Sequence, residues 1–106
     1  MGIDEQTVET IVRRILSVAA PDKIILFGSA ATGEMTHDSD IDLLIVEPDT
    51  SRQREEYVRI IQALWDIRYP FDVLFIATRW FEESKDIVGG IAYPANKYGK
   101  VIYDAA

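Results

Sequence analysis

Apolar residues along this chain recur with two different periods. In residues 4–19, Val8, Ile11, Val12, Ile15 and Leu16 follow the i, i+3, i+4 spacing of one helical face, with Asp4 placed to cap the helix and Pro21 to close it. Residues 23–27 (KIILF) form an apolar run of strand length, ended by Gly28-Ser29. The stretch 30–39 is small and polar, with Gly33 as a break, and has room for a short helix. Residues 40–46 (DIDLLIV) predict a second strand, stopped by Glu47-Pro48. Thr50 and Gln53 have the spacing of a capping box, so a second long helix begins near Thr50. It carries Tyr57, Ile61, Leu64 and Trp65 on one face, and Pro70 forbids its continuation. Residues 71–77 (FDVLFIA) predict a third strand. From Thr78 a helix with Trp80, Phe81, Ile87 and Val88 on one side runs to Gly89-Gly90. The tail, residues 93–104, has turn signals at Pro94 and Gly99 before a short apolar segment at 101–103. With no repeat, low-complexity stretch or linker, the alternation of strands and helices predicts one α/β (α+β) domain over residues 1–106, built on a small mixed β-sheet flanked by helices.

Composition narrows the function classes. The 106 residues include no cysteine, which removes disulfides, thiolate metal sites and cysteine nucleophiles. No apolar run approaches the ~20 residues of a membrane span, and the N-terminus lacks the pattern of a signal peptide, so a soluble cytoplasmic protein is expected. Eighteen acidic against eleven basic side chains give a net charge of −7, which argues against a broad basic face gripping nucleic acid. A nucleotide substrate remains compatible with that charge, because bound metal ions reverse the sign of a small site. The acids are unevenly placed: Glu34, Asp38, Asp40 and Asp42 fall within nine residues that contain no lysine or arginine.

Two phosphate or metal motifs nearly fit this segment and fail. Residues 28–33 (GSAATG) have the frame of a Walker loop, but Glu34 and Met35 stand where lysine and a hydroxyl residue are needed. Asp38, Asp40 and Asp42 open like a calcium-binding EF-hand loop, yet the sixth position is Leu43 and the twelfth is Asp49. The other arrangement puts Asp40 and Asp42 on one face of a strand, about 6–7 Å apart. Asp72 opens the third strand in the same way. If the two strands are neighbours, three carboxylates converge, and hard oxygen ligands of this kind suit Mg²⁺ or Mn²⁺. Solvated aspartates at strand ends are the plain alternative. The adjacent Gly28 permits close backbone approach, and Ser29 can donate to a phosphate oxygen.

Gly28-Ser29, ten intervening residues and then Asp40-Ile41-Asp42 resemble the G-S-x(10)-D-x-D signature of the polymerase β-like nucleotidyltransferases. The wider segment LFGSAATGEMTHDSDIDLLIV resembles the short minimal nucleotidyltransferase (MNT) domains, of the MntA-type antitoxin branch. The leading helix, the FDVLFI strand and the closing GKVIYD segment carry the likeness over nearly the whole chain. The resemblance implies a nucleotidyltransferase fold and transfer of a nucleoside monophosphate, AMP from ATP in the first instance, to an acceptor hydroxyl with release of pyrophosphate. It implies that Gly28 and Ser29 hold the β- and γ-phosphates. It also implies that Asp40, Asp42 and Asp72 bind two Mg²⁺ (or Mn²⁺) ions, and that Asp72 assists deprotonation of the acceptor. Two such ions would neutralise the attacking and leaving oxygens of an in-line displacement. The partner implied is a HEPN-type helical toxin, modified on a tyrosine, and an oligomer is compatible with the short chain. The sequence departs from many relatives in placing Ala30, Ala31 and Thr32, not arginine, after the Gly-Ser turn. A binding module of weak activity that neutralises its partner by occlusion is therefore the alternative expectation.

Other residues read as structural. His37 is expected as an exposed loop residue beside the acidic cluster. Ser39 is placed either to touch nucleotide or to cap the strand entrance. Trp65, Trp80 and Phe81 have core spacing, Tyr93 and Tyr98 could stack on a base or meet a partner, and Arg52, Arg54 and Arg59 share a solvated helix with Glu55 and Glu56.

Overall fold

The computed structural model describes residues 3–36 and 39–106, so His37 and Asp38 lie outside the described residues. Helix α1 (Glu5–Leu16) starts where the Asp4 side chain accepts the Thr7 amide at 2.7 Å, as its sequence predicts. It buries Ile11 and Ile15 and stops at Ser17, four residues before Pro21. Strands β1 (Lys23–Phe27), β2 (Ile41–Glu47), β3 (Phe71–Ala77) and β4 (Lys100–Asp104) form a mixed sheet in the order β3-β2-β1-β4. β1 is antiparallel to both β2 and β4, whereas β2 and β3 are parallel and joined by α3 (Gln53–Ala63). The short α2 (Ser29–Thr32) links β1 to the β2 side of the sheet, and α4 (Thr78–Ser84) and α5 (Ala92–Tyr98) lie between β3 and β4 in sequence.

Period-two alternation decides which side chain enters which layer. Ile24, Leu26, Ile41, Leu43, Ile45 and Val73 pack on one face against Ile11 and Ile15 of α1 and Ile60 of α3. Ile25, Leu44 and Val46 face the other way, against Phe81 of α4 and Ala92 and Ala95 of α5. β2 is buried on both faces, which explains why its sequence is an unbroken apolar run after Asp42. Arg14 ties the α1/α3 layer together, donating to the Ala63 carbonyl at 2.8 Å and to both carboxylate oxygens of Asp66. Among the described residues no helix is long and apolar enough to cross a membrane.

Several expected details differ. β2 does end at Glu47-Pro48, but Glu47 is its last residue, one beyond the expected bound, and is buried. Thr50 offers α3 only its carbonyl, to the Gln53 amide at 3.1 Å, and Arg52 is the N-cap with no side-chain bond, so no capping box forms. Trp65 lies beyond the end of α3 and is 82% exposed; Trp80 is 64% exposed, because only Phe81 of that pair faces the sheet. α4 ends at Ser84, leaving Ile87 and Val88 outside it and in solvent. Pro94 sits in the first turn of α5, where its missing N–H costs no helical hydrogen bond.

Candidate active site

β1 ends beside the start of β2, and the chain turns there on Gly28. Its backbone (φ 69°, ψ −151°) lies in a region essentially confined to glycine. The Gly28 carbonyl accepts the Ala31 and Thr32 amides at 3.1 and 3.2 Å, which winds α2, and Gly33 ends that turn in the left-handed region at φ 81°. Ser29 follows Gly28 directly, and among the described residues its hydroxyl makes no hydrogen bond. Met35 then anchors the loop in the α1/α3 core.

Register builds the carboxylate pair. Phe27 is opposite Asp42 across the β1–β2 ladder, and Asp42 is opposite Asp72 across the parallel β2–β3 ladder. The two aspartates therefore occupy neighbouring positions on one face, the side of α4 and α5. Asp42 also touches Gly28: a Cβ there would overlap its Oδ2 and lie 3.3 Å from its Cγ. Asp40 stands just before β2, held by neighbours on both sides. The Ile41 amide donates to the Pro70 carbonyl at 2.8 Å. Ser39 closes a turn with Thr36, its hydroxyl accepting the Thr36 amide at 3.0 Å and its amide donating back to the Thr36 carbonyl. These bonds place Ser39 at the strand entrance.

The site's electrostatics follow from this packing. Burial raises the Asp42 carboxyl above its ordinary value, and the Asp72 and Asp40 charges raise it further. The Asp72 and Asp40 charges thus both reach the Asp42 carboxyl. Asp40 and Asp72 are exposed. Among the described residues no group of three acidic or histidine side chains is placed to hold a metal ion, so the expected convergence of Asp40, Asp42 and Asp72 on one point is not seen; register pairs Asp42 with Asp72 alone. Carboxylates at neighbouring register positions, Asp42 and Asp72, are of the donor type that suits a hard divalent ion.

The sequence matches the family described as "Nucleotidyltransferase domain" over residues 6–93. The chain belongs to the nucleotidyltransferase domain family. No curated protein matches it in sequence. Among solved structures, a toxin–antitoxin crystallised with AMP-PNP superposes with a TM-score of 0.70 at 16% identity, covering 92% of this chain and 73% of that one. A protein presented as a nucleotidyltransferase from Sulfolobus solfataricus superposes with a TM-score of 0.53 at 20% identity, covering 99% of this chain and 93% of that one. At such identities the likeness is one of fold: a mixed sheet flanked by helices, of the nucleotidyltransferase type.

Proposed function

We propose that this chain transfers a nucleoside monophosphate, AMP from ATP, to a hydroxyl of a protein partner and releases pyrophosphate. The observation that carries this reading is the register of Asp42 against Asp72 with Gly28 in contact with Asp42. It brings a backbone position free of a side chain against one of two register-paired carboxylates. Asp40, Asp42 and Asp72 would hold Mg²⁺ or Mn²⁺, and the bound ions would neutralise charge on the reacting phosphates. Gly28 lets the triphosphate approach the backbone, and Ser29 donates its hydroxyl to a β- or γ-phosphate oxygen. The acceptor oxygen forms a bond to the α-phosphorus as the bond from that phosphorus to the bridging oxygen breaks. Pyrophosphate takes that electron pair, and Asp72 accepts the proton of the acceptor hydroxyl.

The structural neighbour crystallised as a toxin–antitoxin with AMP-PNP supports an adenine nucleotide and a toxin partner. A small helical toxin of the HEPN type, modified on a tyrosine, is the acceptor we propose, with the whole exchange in the cytoplasm. A second reading, neutralisation by occlusion with little transfer, is favoured by one specific feature. Ala30, Ala31 and Thr32 supply no cation after the Gly-Ser turn.

The two readings separate in one assay. The chain is incubated with Mg²⁺, α-labelled ATP and the protein encoded by the adjacent gene, beside Asp42→Ala. Label on the partner that disappears with Asp42→Ala is expected. Tight partner binding without label, unchanged in Asp42→Ala, would overturn transfer in favour of occlusion.

A further inference from the structure

Strand β3 is an edge of the sheet, paired on one side with β2. Its backbone donors and acceptors on the other side are left open among the described residues. After Asp72 the strand reads Val73 to Ala77 without a charge, proline or glycine, and its register against β2 has no bulge. These are the devices that normally blunt a free edge. Along residues 73–77 none of them is present.

Helix α3 overhangs that edge. A groove of about 520 Å³ runs between them, lined by Arg54, Tyr57 and Val58 of α3 and by residues 73–75 of β3. A smaller hollow of about 250 Å³ shares Tyr57 and continues past Trp65 to Phe71. Between the two stretches of β3 that line them lies Asp72. Val58 is 52% exposed and Leu74 38%, so this is a contiguous apolar surface with two large aromatic side chains, the composition of an interface centre.

We propose that this edge docks an extended segment of the acceptor protein, which adds a strand to β3, seats apolar side chains beneath Tyr57 and Val58, and sets an acidic side chain on Arg54. The inference rests on the nucleotidyl-transfer reading and deepens it, because a strand laid along β3 passes Asp72. Shape favours an extended polypeptide, since an open ladder recognises backbone and the groove takes alternate side chains. Charge selects its chemistry. Arg54 is exposed and has no ion-pair partner among the described residues, a local positive site on a chain of net charge −7. A second copy would bring another −7 to the same surface, which disfavours self-pairing.

The test pans a phage-displayed library of random twelve-residue peptides against the immobilised full chain. A synthesised winner is then followed by amide hydrogen exchange. Enriched peptides are expected to alternate apolar positions and to carry an aspartate or glutamate. The winner is expected to protect β3 amides at least tenfold, to bind at least tenfold more weakly to Leu74→Lys, and to lose its acidic preference on Arg54→Glu. Val58→Glu, on the exposed face of α3, should weaken binding similarly without touching the strand. Protection confined to other elements, equal binding to all three variants, or a dimer in sedimentation that Leu74→Lys splits would each overturn the proposal. Adenylyl transfer is scored separately: β3 protection without any label transfer leaves docking intact and counts against the catalytic reading alone.

Discussion

Gly28 and Asp42 touch across the β1–β2 pair, so tightly that no side chain larger than hydrogen fits between them. Gly28 also holds a backbone conformation, φ 69° and ψ −151°, that L residues scarcely adopt. Gly28→Ala therefore meets two penalties, backbone strain of about 1–3 kcal/mol and displacement of the Asp42 carboxylate. Gly33→Ala is the control, since it meets the left-handed backbone (φ 81°) but no atom within 4 Å. Denaturant melts should show both variants destabilised. Nucleotidyl transfer should fall on the order of 100-fold in Gly28→Ala only, the scale at which misplacing a reacting group by ~1 Å costs rate. Equal activity loss in both would mean that strain, not the Asp42 contact, governs the site.

How far this geometry was legible in the sequence depends on the range of the signal. The adjacency of Asp42 and Asp72 was legible, because period-two alternation is a local pattern that register then joins, whereas a convergence of three carboxylates on one point is not seen among the described residues. The three strands holding it fell where predicted, apart from Asp40, which stands one residue outside β2. Burial of the tryptophans was not legible. Trp65 and Trp80 have helical core spacing, yet α3 ends at Ala63 and α4 is only seven residues long, so neither ring reaches a partner layer. The burial of Glu47 was not legible either. A glutamate before proline reads as a strand end, but its place beside Ala77 in the parallel ladder buries it.

Gly99 is a second glycine whose role only the tertiary structure reveals. Its sequence context suggests a turn, and its φ of −80° demands no glycine. Space does: a Cβ there would collide with the Ala95 carbonyl and come within 2.7 Å of Ile25 Cγ2 and 3.1 Å of the Leu26 carbonyl. Gly99→Ala should destabilise the chain by about 1–3 kcal/mol through overpacking where α5 meets β1. A melting temperature unchanged within a degree would show that the α5–β1 junction relaxes freely.

Asp72 raises the Asp42 carboxyl after burial has already done so, and Asp40 adds to both. In chelator-treated protein, Asp72→Asn removes one like charge, so the Asp42 pKa should fall while staying above the ordinary carboxylate value. Carboxyl ¹³C titration measures it directly. The stability sign follows: an acid whose folded pKa is raised loses native stability as pH climbs through that value, so Asp72→Asn should lose less between pH 3 and pH 7. An Asp42 titration identical in both proteins would show that the register pair is not electrically coupled.

Glu47 lies at the far end of β2 from Asp42, 4% exposed, with Oε2 lacking a hydrogen-bond partner among the described residues. Burial pushes its carboxyl up to about 8, aided by a hydrogen bond with Glu56 and by the charges of Glu56, Asp49 and Asp22. The folded chain then holds a proton there that the unfolded chain releases above pH 4.5. Native stability should accordingly decline from that pH upward and level off only beyond pH 8, a loss on the order of a few kcal/mol. Glu47→Gln carries no charge to bury, and its amide can donate to the Glu56 carboxylate. Urea melts across pH 5–9 should show the variant losing less stability with rising pH than the parent chain and exceeding it above pH 8. Parallel profiles for the two proteins would mean that Glu47 ionises in place without penalty, its burial relieved by water or by movement of α3.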